Sequence, residues 1–377
     1  MAESGEEPKI DSRSIDAASR FDSWQRFPAV ALLAATFALI VYGCFASLTL
    51  VDRTAGVSAD RTDAALYVAV AARVADGESY YRAAATEHRE RGYPLRPFVT
   101  VREPALAYVT AVVGGPDRMM RVLGVLAFVV SVAMVWRLEG SASGRVSWWS
   151  SALLTAVTAG ALIGHIQAVT HEVWAGMLIA LSLALRSEKR FAASVGLGLA
   201  AVFVRELALP YLLVMAFFAW REGKRREAYV WTGAVAAFAV AFTVHAALVH
   251  AQVGATDPAS QGWLRFGGWP FVLDLVRRSS FLGTLPGWVG AAVMPLALLG
   301  WSSRRTPFAD RVIVTIGAHL CAFMLIGRPE NVYWGIMFVL LLIPGVTFAP
   351  TAVVDLFRGR SQVKLTPVTV HVEKKCA

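Results

Sequence analysis

Apolar stretches of 13 to 24 residues recur along almost the whole chain, divided by short charged segments. Stretches near ~20 residues predict membrane spans, and shorter ones predict helices sunk part-way into the bilayer. The pattern places spans at 27–50, 117–138, 146–164, 173–185, 191–204, 207–220, 229–250, 286–301, 312–327 and 333–349. Two charged stretches, 51–103 and 251–285, predict loops. Residues 104–113 are apolar but too few to cross, which predicts an interfacial or re-entrant helix. The expected fold is an all-α integral membrane protein of about ten transmembrane helices, several short, with a helical first outer loop. It divides into a disordered cytoplasmic N-terminus (1–26), a transmembrane domain (27–350) and a cytoplasmic tail (351–377). No small-residue cleavage site follows the first span, which predicts a retained anchor.

Composition agrees. Of 377 residues, 56% are hydrophobic and 17% charged, with a mean hydropathy of +0.53; a soluble domain of this length needs more charge to cover its surface. The net charge of +9 does not point to nucleic acid, because the basic residues cluster between spans and form no continuous face. Arg186, Lys189 and Arg190 form one cluster; Arg221, Lys224, Arg225 and Arg226 another; Arg304, Arg305 and Arg311 a third. Placing all of these in the cytoplasm requires an even number of crossings between them, which ten spans supply with both termini inside. All six lysines then fall on that side. Cys44, Cys321 and Cys376 show neither a disulfide framework nor metal spacing.

The 30 residues of 191–220 carry Arg205 and Glu206 at their middle. One helix of that length would run about 45 Å against a ~30 Å hydrocarbon core, with basic clusters on both sides of the membrane. A hairpin resolves this, its arms of roughly 21 Å leaving the tip below the membrane surface. Residues 312–349 repeat the pattern around Arg328, Glu330 and Asn331, with Tyr333 and Trp334 just beyond. A third tip holds His165, Gln167, His171 and Glu172, and the first loop ends in Arg102-Glu103-Pro104. Intramembrane charges avoid lipid, so four such tips on one face predict a shared polar cavity. The plainer reading is that Arg–Glu neighbours merely pair and fix the packing of short helices.

In the first loop, Asp63, Tyr67, Val70 and Val74 share a helical face, and Gly77 ends the helix before Tyr80-Tyr81. Asp63 alone reads as an acidic residue favouring a helix N-terminus, with Asp60 or Thr62 as cap. One span, then Asp63 four residues before Tyr67, a helix, Gly77 and Tyr80-Tyr81 resembles the opening of the GT-C glycosyltransferases. The short helix at 104–113, the turn Gly114-Gly115-Pro116-Asp117 with Arg121, Glu172, Arg205-Glu206 and Gly327-Arg328…Tyr333-Trp334-Gly335 are similar too. Departures are an unpaired acid, since Ala64 follows Asp63, and the absence of a large C-terminal outer domain.

The resemblance implies a bacterial plasma-membrane enzyme that moves a hexose or pentose from a polyprenyl-phosphate donor to an outer-face glycan, lipid or protein. A carboxylate would take the acceptor's proton while arginines stabilise the leaving phosphate. Asp63 is the candidate base, with Asp60 as understudy. Arg102, Arg205 and Arg328 are the candidate phosphate ligands, arginine being permanently charged and bidentate. Glu103, Glu172, Glu206, Glu330 and His171 would orient them or bind sugar hydroxyls; Tyr67, Tyr81 and Trp334 would pack on the sugar. No cofactor is implied, and nothing in the sequence supports a divalent metal. His171-Glu172 lacks the second histidine of a zinc-protease motif, and no phosphate-binding loop or dinucleotide fingerprint occurs. Gly160/Gly164 and Gly283/Gly287 match a small-residue packing spacing. The competing readings are a transporter or lipid flippase, and a non-catalytic membrane assembly protein.

Overall fold

The computed structural model describes residues 19–49, 62–141, 144–189 and 191–358. Among them the chain is helical, with three isolated β-bridges and no strand. Helix α1 (Arg26–Thr49) is followed by the amphipathic α2 (Asp63–Ala75), α3 (Tyr80–Arg91) and α4 (Ala105–Val113). Then come α5 (Pro116–Leu138), α6 (Arg145–Ala161), α7 (His171–Leu185), α8 (Ala192–Val204), α9 (Leu209–Arg221) and α10 (Arg225–His250). The last third holds α11 (Gly268–Arg278), α12 (Gly287–Ser303), α13 (Pro307–Leu325), α14 (Ile336–Leu342) and α15 (Ala349–Arg358).

Among the described residues, five segments are long and apolar enough to cross a membrane: Arg26–Ala46, Pro116–Leu138, Arg225–His250, Pro307–Leu325 and Pro329–Arg358. Shorter apolar helices are His171–Leu185, Ala192–Val204 and Gly287–Ser303. Exposure decides what surrounds them. The first span has a mean hydropathy of 2.3 with 22% of its residues buried, and Phe37, Val125, Phe128 and Val240 all point outward. Apolar surface on that scale is stable in lipid and not in water. The chain is a multi-pass α-helical membrane protein.

The predicted break in 191–220 is present. Arg205 is extended (φ −150°, ψ 113°) between α8 and α9, and Pro210 occupies the first turn of α9, where a missing N–H costs nothing. Each helix has 13 residues, or about 20 Å. The second hairpin departs from expectation. Its first arm, α13, has 19 residues because Thr306 caps it (Ala309 N to Thr306 Oγ1, 3.1 Å) and Pro307 starts it upstream of the apolar run. Its return runs from Pro329 through a 3-10 segment kinked at Asn331 (φ −85°, ψ 23°), α14, a second 3-10 stretch (Ile343–Phe348) and α15, 30 residues in all. The structure therefore corrects the expected arms of about 15 residues, each too short to span, and moves the end of the helical domain from 350 to Arg358.

The N-terminal boundary also shifts. Residues Arg20–Ser23 form a 3-10 turn that buries Phe21 among Ala29, Leu299, Ala352 and Leu356, and Arg20 pairs with Asp310. Residues 19–26 are thus ordered, not disordered; 1–18, Cys376 and most of the expected tail lie outside the described residues.

Packing centres on α7, which lies against α8, α5 and α14, while α12 lies against α1 and the Ile343–Phe348 turn. The tightest approaches are at glycines the spacing motif does not mark. A Cβ on Gly300 would stand 2.0 Å from Gly345 O, and one on Gly176 would stand 2.6 Å from Ile336 O. Gly160 has nothing within 4 Å, so the Gly160/Gly164 spacing is not a packing seam.

Candidate active site

Helices α2, α3 and α4 build a small core of their own around Leu66, Val70, Tyr80 and Val101. Arg89 ties this unit to the 251–267 loop, its Nε and Nη2 meeting the two Asp257 oxygens at 2.9 and 2.7 Å. That hydrogen-bonded pairing holds the Asp257 carboxyl down to about 2. One wall of the unit faces a cavity of about 590 Å³, closed on the other sides by residues of the 165–170 turn, the 260–278 segment and the 328–336 segment.

Asp63 opens α2, with Thr62 as its cap (Ala65 N to Thr62 Oγ1, 3.3 Å). Its carboxylate lines the cavity, accepts a hydrogen bond from Tyr333 Oη at 2.9 Å and is hydrogen-bonded by Tyr93 as well. One turn later Tyr67 lines the same wall, as the shared-face spacing predicts. Its hydroxyl accepts from Arg102 Nε at 3.1 Å and its ring meets the edge of His171 at 4.5 Å. Burial pushes the Tyr67 phenol well above its ordinary range, so it stays protonated.

Arg102, Arg328 and Glu330 also line the cavity. Arg328 sits beyond Gly327, whose φ of +126° suits glycine and turns the chain inward after α13. The Arg328 guanidinium lies over Trp263 at 5.4 Å, 3.0 Å from Glu330. Its backbone N–H donates to Asn331 Oδ1 at 3.0 Å.

Arg205 is different. It is 1% exposed and absent from the cavity wall, with Nε donating to Glu172 at 2.6 Å, Nη1 to Glu206, and the guanidinium over Trp334 at 5.8 Å. Glu172, Glu206 and Trp334 are its partners and likewise do not line the cavity. This group supports the floor on which Tyr67, His171 and Tyr333 rest; as a phosphate ligand, Arg205 is displaced by its own salt bridges. His171 is buried against Tyr67. Tyr81 faces away, with its hydroxyl 3.3 Å from His245 Nδ1. Glu103 is buried with neither oxygen hydrogen-bonded, and burial raises it to about 9. Asp60 lies outside the described residues.

Several lining residues are not legible as site residues in the sequence. Arg278 joins the cavity wall from α11, paired with Asp274 at 2.9 Å, and Trp263 and Tyr93 come from loops. The 251–285 stretch reads as a charged loop, whereas 268–278 is an amphipathic helix; the i, i+4 pair Asp274/Arg278 is the signal that could have found it. Three arginines (Arg102, Arg278, Arg328) and two carboxylates (Asp63, Glu330) thus line one cavity. Among the described residues, no three His, Cys, Asp or Glu side chains come together to hold a metal ion.

No family model, curated protein or solved structure matches the chain.

Proposed function

We propose that the protein is a membrane glycosyltransferase of the GT-C type that moves a sugar from a polyprenyl-phosphate donor to an acceptor hydroxyl. The observation that carries this reading is one cavity holding a carboxylate, Asp63, and three arginines, Arg102, Arg278 and Arg328. In the reaction, the acceptor oxygen bonds to the anomeric carbon as its proton passes to Asp63. The bond from that carbon to the phosphate oxygen breaks, and its electron pair leaves with the polyprenyl phosphate. A positioned base of this kind contributes roughly 10²–10⁴-fold. The arginines stabilise the charge that grows on the departing phosphate. Tyr333 and Tyr93 hold the Asp63 carboxylate in place, and Trp263 and Tyr67 offer ring faces to the sugar.

The same reading places ten crossings in a bacterial plasma membrane, both termini in the cytoplasm and the cavity on the outer face. It is supported by the basic clusters meeting at the end of the bundle away from the cavity, where Arg186 and Arg311 both reach Glu222 (3.7 and 2.7 Å).

The deciding assay incubates purified protein with a panel of polyprenyl-phosphate sugars and follows release of free polyprenyl phosphate. Asp63→Asn should lower that release by roughly 10²–10⁴-fold with the thermal unfolding midpoint unchanged. Absence of release from every donor, or full activity in D63N, would refute the reading.

A further inference from the structure

At the end of the bundle opposite the cavity lies a second charged cluster that the proposed reaction does not use. Arg186, at the end of α7, holds Glu227 with Nε at 2.7 Å and Nη2 at 2.8 Å. Arg311, in the first turns of α13, donates Nη2 to Glu222 at 2.7 Å and Nη1 to Pro307 O at 2.9 Å, and lies over the Phe218 ring at 4.9 Å. Lys224 joins Glu222 and Glu188, each at 2.7 Å. Arg137, in the last turn of α5, reaches into the same cluster with its guanidinium over Phe308 at 5.4 Å, within electrostatic range of both Arg186 and Arg311.

The charges do not balance. Four cations (Arg137, Arg186, Arg311, Lys224) meet three carboxylates (Glu188, Glu222, Glu227), and Arg137 is the cation with no carboxylate partner among the described residues. Arg137 Nε and Arg311 Nε are both buried without a hydrogen-bond acceptor, and Arg311 is 1% exposed. Like charges held together away from water are unfavourable unless an anion joins them. Arg137 is itself half-buried, and its neighbour Trp136 is 64% exposed on the outer surface of the bundle, a position typical of the membrane interface.

The geometry points to a binding site for a phosphate-type anion at Arg137, with the buried charges of Arg186 and Arg311 behind it, set to take the phosphodiester headgroup of an anionic phospholipid. Planar guanidinium groups match phosphate oxygens in pairs, and basic pockets between membrane helices are a recurrent way of holding acidic headgroups. The inference rests on the membrane character of the chain and is independent of the proposed reaction.

Native mass spectrometry of the full-length protein in detergent, with phosphatidylglycerol or phosphatidylcholine added, tests it. The wild type should retain phosphatidylglycerol in preference to phosphatidylcholine. Arg137→Gln should weaken that retention about fivefold, the effect of one arginine near an anionic headgroup, while Arg226→Gln, an exposed basic residue at the same end, should not. Arg137→Lys keeps the charge without the planar fork and should fall between them; it also serves if the glutamine variant does not fold. Equal retention in wild type and either Arg137 variant, or an equal loss in R226Q, overturns the site. Thermal stabilisation by millimolar inorganic phosphate with no response to phosphatidylglycerol would show a soluble-anion site and overturn the lipid assignment.

Discussion

Removing a guanidinium that faces a water-filled cavity differs in energy from removing one sealed between carboxylates. Arg328 belongs to the first kind. Arg328→Gln should leave the unfolding free energy within about 0.5 kcal/mol of wild type and lower donor turnover by roughly 10²–10³-fold, the usual loss of one charge-stabilising donor. Arg205→Gln strands Glu172 and Glu206, and breaking a buried pair costs about 3–5 kcal/mol; thermal unfolding in detergent should show that loss. Glu103 gives a test in pH. Its carboxyl rises from an ordinary 4.5 to about 9, so the folded state keeps a proton that the unfolded state has lost. Stability from this group is therefore present below about pH 4.5 and declines as pH climbs toward 9. Glu103→Gln should remove that decline, leaving the variant at least as stable as wild type at pH 8, followed by midpoint against pH. Asp63, Tyr67, Arg102 and Arg328 are legible in the sequence because helical spacing and tip position are local properties. The Arg205–Glu172 bridge is not, since the partners lie 33 residues apart and no spacing rule reports what a side chain meets across the fold.

Helices made too short to cross need something else to fill the remaining depth. Here α8 ends and α9 begins at the Arg205 turn, and α7 begins at His171, so the tips of three short helices meet behind the residues that line the cavity. Their existence and type are readable from length and from Pro210. The long run from Pro329 to Arg358 is harder to read, because Pro344 marks a 3-10 turn and not an end. That turn is where backbone meets backbone. The position a Cβ would take on Gly300 lies against Gly345 O, and a methyl there has no flexible neighbour to push aside. Gly300→Ala should destabilise by about 1–3 kcal/mol, the range for overpacking a filled interior. Gly160→Ala, with no atom within 4 Å of its Cβ position, should be neutral or slightly stabilising as helix propensity improves. Paired thermal unfolding of the two variants checks this, and a loss at Gly160 equal to that at Gly300 would place the close contact elsewhere.

A bundle with its cavity at one end and its basic clusters at the other is polarised, and the direction of that polarity in the membrane decides which side supplies the acceptor. Positive loops remain in the cytoplasm, so the end holding Arg186, Lys224 and Arg311 should face inward and the cavity outward. The exposed residues Gln261, near the cavity rim, and Arg226, at the opposite end, provide one reporter each. With Cys44, Cys321 and Cys376 replaced, Gln261→Cys should react with a membrane-impermeant maleimide on intact cells. Arg226→Cys should react only after permeabilisation. The reverse pattern would turn the cavity toward the cytoplasm, where an acceptor presented on the outer face could not reach Asp63. Equal labelling of both from outside would mean an even number of crossings between the two positions, and the ten-span arrangement, which puts the single span 229–250 between them, would fail with it. The assay reads sidedness directly, because the two positions differ in which end of the bundle they occupy and not in how exposed they are.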